Sequence, residues 1–218
     1  MNIERVLMLM RDTLARVNSS RLTALKELQQ EEGSDPFRIL IGTILSARTR
    51  DENTRIAVHN LFSRFKSIDA IADARIEDIE QLIRCTGFYR IKARRIKEVA
   101  RIIATQYNGM VPDRLEDLLR LPGVGRKTAN CVLVYAFNKD AIPVDTHVHR
   151  IANRLGLVDT KSVEETEQEL MKSVERSYWK SINDTFVTFG QSVCKPIAPL
   201  CNECLLKEEC KYYRLKQG

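Results

Sequence analysis

Apolar residues return at every third or fourth position along most of this chain, and no segment alternates apolar with polar residues as a half-buried strand would. The pattern predicts an all-α protein. Asp35 followed by Pro36 reads as an N-cap and first helical position for "PFRILIGTILSA", and "DENTRIAVHNLFSRF" supplies the next amphipathic helix. After a short "SIDAIA" segment come "RIEDIEQLIRC" and "IKARRIKEVARIIATQY", the latter stopped by Asn108-Gly109. "DRLEDLLRL" then runs into the glycine-punctuated stretch "LPGVGRKTAN". Beyond Pro143, "THVHRIANRL" ends at Gly156, "SVEETEQELMKSVE" opens with a Ser162 to Glu165 capping box, and "SINDTFVTFGQSV" is the last long helix predicted. "MNIERVLMLMRDTLARVN" has charged residues around its apolar stretch and no small-residue cleavage site, so it reads as an amphipathic helix and not a leader. A weak internal repeat pairs "IEDIEQLIRCTGFYRIKARRI" with "LEDLLRLPGVGRKTANCV", matching Gly87, Arg90 and Ala93 to Gly123, Arg126 and Ala129 in spacing.

Composition narrows the class. The chain has 218 residues, 44% hydrophobic and 29% charged, which is enough to bury one large core or two modest ones. No run approaches the roughly 20 apolar residues of a membrane span. A cytoplasmic protein with no membrane partner is expected. Lys and Arg number 35 against 29 Asp and Glu, a net charge of +6 that favours a polyanionic partner without identifying one.

The chemistry concentrates in three motifs. In "LPGVGRKTAN", Gly123 and Gly125 flank Val124 and permit a tight turn with close backbone approach. The amides there, with the N-terminus of the helix that follows, form a ready phosphate site, and Arg126 can pair with a second phosphate. Lys127 then falls in the first turn of that helix, where the helix dipole repels an ammonium. Such a position favours the neutral amine, the nucleophilic form, over the charged one whose ordinary pKa is about 10.4.

Eighteen residues after Lys127, Asp145 of "VDTHVHR" stands just before a helix. Aspartate is a preferred N-cap, and a capping carboxylate stays ionised with one oxygen available for a substrate. The third motif is the tail "CKPIAPLCNECLLKEEC", in which Cys194, Cys201, Cys204 and Cys210 are spaced C-x6-C-x2-C-x5-C. Four close cysteines in a cytosolic chain point to a metal, and the spacing accommodates either zinc or a [4Fe–4S] cluster. Cys85 and Cys131 fall within apolar helical patterns and read as core thiols, not ligands.

"GVGRKTAN" followed by "VDTH", together with the cysteine spacing, resembles the endonuclease III family of helix-hairpin-helix DNA glycosylases, from about residue 30 to the end. The resemblance implies a two-domain fold. A six-helix barrel would occupy 29–139, with its hairpin at about 113–137. Residues 1–28 and 140–218 would form a helical domain holding a [4Fe–4S] cluster at 194–210, and DNA would lie in the cleft between the two. It further implies a monomeric, nucleoid-associated enzyme that acts on double-stranded DNA bearing a damaged base or an abasic site. Lys127 would attack C1′ of an everted nucleotide, form a Schiff base and permit β-elimination, with Asp145 handling proton and charge. Lys195, Lys207 and Lys211 around the cluster loop would present cations to phosphates, or else merely balance Glu203, Glu208 and Glu209.

Two positions depart from the family pattern. Arg48 stands in "ILSARTRDENT" where the family usually has the glutamine that enters the gap left by the flipped nucleotide. Its guanidinium can fork to guanine O6 and N7 or point at a phosphate. Phe88 replaces a wedge leucine, and an aromatic ring can still fill the stack. Competing expectations are a mismatch-specific thymine or uracil glycosylase, and a non-catalytic iron–sulfur DNA-binding module.

Overall fold

The computed structural model describes residues 2–19, 23–33 and 35–217, so the parts of the expected 1–28 and 140–218 domain that fall on residues 1, 20–22 and 218 lie outside the described residues. Every regular element among those described is helical. The chain forms two compact units, Ala24–Lys139 and a discontinuous one made of Met1–Thr23 with Asp140–Gly218. No helix among the described residues is long and apolar enough to cross a membrane.

The first unit contains α2 (Ala24–Glu32), α3 (Pro36–Ser46), α4 (Asp51–Arg64), α5 (Ile68–Asp73), α6 (Ile76–Leu82), α7 (Tyr89–Gln106), α8 (Leu115–Leu118) and α9 (Arg126–Tyr135). Its centre is α3. The run "FRILIGTIL" is apolar on nearly every face, and Ile39, Leu40, Ile41 and Leu45 are wholly buried because α2, α4, α7 and α9 all pack on them. Asp35 starts this helix as its composition dictates, Oδ1 accepting from the Phe37 and Arg38 amides at 2.9 and 3.0 Å.

The discontinuous unit contains α1 (Ile3–Arg16), α10 (Thr146–Leu155), α11 (Val163–Ser173), α12 (Trp179–Ser192) and α13 (Lys211–Gln217). Val6 and Met10 of α1, Ile151 of α10, Leu170 of α11 and Phe186 of α12 meet in one buried cluster. Cys194, Cys204 and Cys210 pack on the edge of that cluster, so the cysteine-rich tail is seated on the core.

Several boundaries differ from the sequence pattern. Helices α2 and α13 fall where periodicity predicts none. The segment "DRLEDLLRL" is helical only over Leu115–Leu118, since the Arg120 and Leu121 amides already bond three residues back, to Asp117 and Leu118, and tighten the chain into the hairpin turn. Ser162 caps α11 through the Glu165 amide at 3.1 Å, but the Glu165 carboxylate accepts from the Lys161 amide at 2.8 Å instead of returning to Ser162.

Candidate active site and DNA-binding surface

The hairpin turn lies between α8 and α9. Gly123 has φ +78°, a left-handed conformation that L side chains avoid, and a Cβ there would stand 2.5 Å from Arg95 Cδ of α7. The long arm of Arg95 thus lies across the turn. Val124 is buried beneath it. Gly125 is the N-cap of α9 with φ −89°, and a Cβ there would meet nothing within 4 Å. Folding of this unit therefore leaves the space over Gly125 open. Arg126 and Lys127 are the first two residues of α9 and are half-buried, so Lys127 occupies the first helical turn at the dipole's positive end.

Asp145 is the N-cap of α10. Its Oδ1 accepts from the amides of His147 and Val148 at 2.8 and 2.9 Å, and Oδ2 has no hydrogen bond among the described residues. One oxygen thus fixes the helix start. Below it, Arg150 donates to Cys194 O at 3.0 Å and to Gly190 O at 3.2 Å, fastening α10 to the end of α12. His149 is held at 2.6 Å from Thr166 Oγ1, a structural placement.

All six cysteines are free thiols; Cys131 is buried in the core as expected, but Cys85 is exposed, because α6 ends at Leu82 and leaves it in the turn beyond. Cys194, Cys201, Cys204 and Cys210 line a single small cavity whose other walls are largely apolar, including Ile151, Phe189 and Leu200. Burial, and then the neighbouring thiols, push Cys201 upward, and burial drives Cys204 to about 11. The four sulfurs are thus close enough to feel one another. Among the described residues, however, no three His, Cys, Asp or Glu side chains are arranged to hold a single metal ion. Arg154 binds this loop from α10: Nη1 donates to Cys194 Sγ at 3.4 Å and to Lys195 O at 2.7 Å, while Nη2 reaches Pro196 O at 2.9 Å. The Arg154 guanidinium also stacks over Tyr212, 4.3 Å from the ring centroid. Nothing in the sequence marks Arg154 for this role, because its partners lie 40 or more residues away.

Of the three lysines around the loop, Lys207 lies 3.9 Å from Glu208 and Lys211 lies 3.3 Å from Asp159. Lys195 is exposed and has no ion pair among the described residues. Charge balancing therefore accounts for part of this patch, though its carboxylate partner at Lys211 is Asp159 and not one of the loop glutamates.

Arg48 and Phe88 come together although they sit on different loops. The guanidinium carbon is 5.6 Å from the Phe88 ring centroid, both residues are exposed, and both have left-handed backbones, φ 51° and 58°. The repeat noted in sequence holds for the helix-turn-helix plan and not for the turns. In the first hairpin the left-handed residue is Phe88, immediately before α7, whereas in the second it is Gly123, two residues before the N-cap of α9.

Residues 41–176 match the family of HhH-GPD superfamily base excision DNA repair proteins. The chain is 54% identical over 181 residues to "Endonuclease III" of Thermotoga maritima, covering 83% of this chain and 85% of that protein. It is 42% identical to "Endonuclease III" of Synechocystis, with 80% of each covered. Among solved structures, a trapped endonuclease III–DNA covalent intermediate superposes with a TM-score of 0.84 at 31% identity over the whole of both chains. A thermostable thymine-DNA glycosylase superposes with 0.79 at 27% identity, over 94% of this chain and 95% of that one. With a family model matched over more than half of the chain and a relative at 54% identity, the chain belongs to the HhH-GPD superfamily of base excision DNA repair proteins.

Proposed function

We propose that this protein is a bifunctional DNA glycosylase and abasic-site lyase that removes oxidised pyrimidines from double-stranded DNA and acts as a monomer. The observation that carries the reading is Lys127 in the first turn of α9, directly after a hairpin whose surface is open at Gly125. An amine placed beside a phosphate-binding turn is positioned to act on the sugar of a bound strand. The Lys127 amine adds to C1′ as the C1′–N bond to the base breaks, the base leaving with the bonding pair. Loss of a proton from the nitrogen and opening of the sugar ring give a Schiff base. Removal of a C2′ proton then expels the 3′ phosphate and cuts the strand. Asp145, rigid through its cap and with Oδ2 uncommitted, supplies the carboxylate that steadies positive charge on the sugar and takes part in proton transfer.

The cysteine set suits a [4Fe–4S] cluster. All four thiols line one small, largely apolar cavity, which suits a group bound through four cysteines. Cys194, Cys201, Cys204 and Cys210 would hold it. When bound, it supplies four iron–thiolate bonds that cross-link the tail to the end of α12.

Borohydride added during reaction with a duplex carrying an oxidised pyrimidine tests the assignment. Reduction should trap a covalent protein–DNA adduct in the wild type and none in Lys127→Ala, which should keep most of its DNA affinity through the hairpin. Undiminished trapping in Lys127→Ala would move the nucleophile to another amine. Base release from a T·G or uracil duplex without strand cleavage or trapping would instead make the protein a water-using mismatch glycosylase.

A further inference from the structure

Lys92 of α7 is a buried cation that the reaction does not use. It is 4% exposed, yet its Nζ has well-formed partners, donating to Leu45 O and to Thr49 Oγ1, both at 2.7 Å. Thr49 Oγ1 accepts a second hydrogen bond, from the Gly87 amide at 3.2 Å, and donates to Ala47 O at 3.3 Å. The hydroxyl is thereby saturated, with two donors into its lone pairs and its own proton given to the backbone. Packing tightens the same junction, since a Cβ on Gly87 would stand 2.6 Å from Arg48 O. Two loops far apart in sequence are fastened at one point.

These loops carry Arg48 and Phe88, one residue before Thr49 and one residue after Gly87. Both hold left-handed backbones, a strained conformation for residues with a Cβ. Nothing in the local sequence requires that strain. What it achieves is visible in the side chains: the guanidinium lies over the phenyl ring, and both are presented to the outside with Phe88 58% exposed. An exposed cation–π contact is too weak to hold two strained residues by itself, so the pair persists because the junction behind it is rigid.

We propose that Lys92 is a positioning residue: by holding Leu45 O and Thr49 Oγ1 together, with Thr49 in turn holding the Gly87 amide, it locks the two loops so that Arg48 and Phe88 enter the DNA stack as one preassembled unit, Arg48 facing the base left without a partner. The proposal rests on the glycosylase reading, which requires that a nucleotide leave the duplex and that something fill the gap. The Phe88 ring, with its centroid 5.6 Å from the guanidinium carbon, limits where Arg48 can reach. A guanidinium fork can donate to O6 and N7 of an orphan guanine, so guanine is the orphan base that it should favour.

The test uses the full protein and a duplex holding a tetrahydrofuran abasic-site analogue opposite guanine, with 2-aminopurine next to that guanine. Insertion unstacks the probe and raises its fluorescence. Arg48→Ala and Phe88→Ala should each weaken binding to this duplex by about tenfold, and the double variant should be scarcely weaker than either, because parts of one unit are not additive. Thr49→Val keeps the side-chain shape and removes the junction. It should lose the fluorescence rise and about tenfold in affinity for the analogue, with undamaged-duplex binding and thermal midpoint near the wild type. Thr49→Ser should restore both. Lys92→Met should behave as Thr49→Val, which carries the test if the lysine variant does not fold. Additive losses in the double variant, or a normal fluorescence rise in Thr49→Val, would overturn the coupling. So would an equal loss of stability and of all DNA binding in Thr49→Val, which would make the junction merely structural. A wild-type protein that binds the analogue without any rise would overturn insertion itself, a separate failure from that of the coupling.

Discussion

At the scale of single residues, the two hairpin glycines do different work, and substitution should separate them. Gly123 is required by its own backbone, so Gly123→Ala should destabilise the fold by about 1–2 kcal/mol in urea unfolding. Gly125 is not, because the space beyond it is open. Gly125→Val should leave the unfolding midpoint almost unchanged and weaken binding to every DNA sequence alike, with a smaller salt dependence as phosphate contacts are lost. Normal binding by Gly125→Val would show that no backbone approaches there. Lys92 makes a second residue-scale prediction. Burial lowers it from 10.5 to about 8, against an opposing pull from Cys85. Between these values the unfolded chain holds more protons than the native one, so its contribution to stability is lost as pH falls through 8 and recovered as pH rises toward 10.5. The wild type should therefore gain stability over that window relative to Lys92→Met, and parallel profiles would show that the ammonium is not buried at a cost.

At the scale of elements, α10 combines a structural cap with the proposed chemistry in one carboxylate. Asp145→Asn keeps an acceptor for the His147 and Val148 amides, so its thermal midpoint should stay near the wild type while turnover falls by about 10²–10⁴-fold. Asp145→Ala should lose the same turnover and also about 0.5–2 kcal/mol of stability from the missing cap. If Asp145→Asn kept its turnover, the residue would be a cap and nothing more. The same helix shows how little of a site is local. Its sequence announces Asp145 and the Gly156 stop, yet Arg150 and Arg154, which tie it to Cys194, look like ordinary exposed arginines on an amphipathic helix.

At the scale of the whole molecule, the cysteine tail should depend on its metal. Purified protein should contain about four irons, Cys201→Ser should lose them and expose the tail to proteolysis, and Cys131→Ser should keep full iron content, because Cys131 is buried within α9 of the Ala24–Lys139 unit and is not among the residues lining the cysteine cavity. Zinc without iron in anaerobically prepared protein would reject the cluster. The sequence by itself determined the helical class, the caps at Asp35 and Asp145, the first-turn position of Lys127 and the cysteine spacing. Each of these is written in a few contiguous residues, where hydrophobic period, capping chemistry and turn glycines act locally. Tertiary structure decided the rest. Lys92 reaches Leu45 and Thr49 across 47 and 43 residues, and Gly87 reaches Thr49 across 38. Arg48 lies over Phe88 only because those bonds close. A lysine in an amphipathic helix reads as solvated until the fold buries it, since burial is a property of what packs around a side chain and not of the residues beside it in sequence.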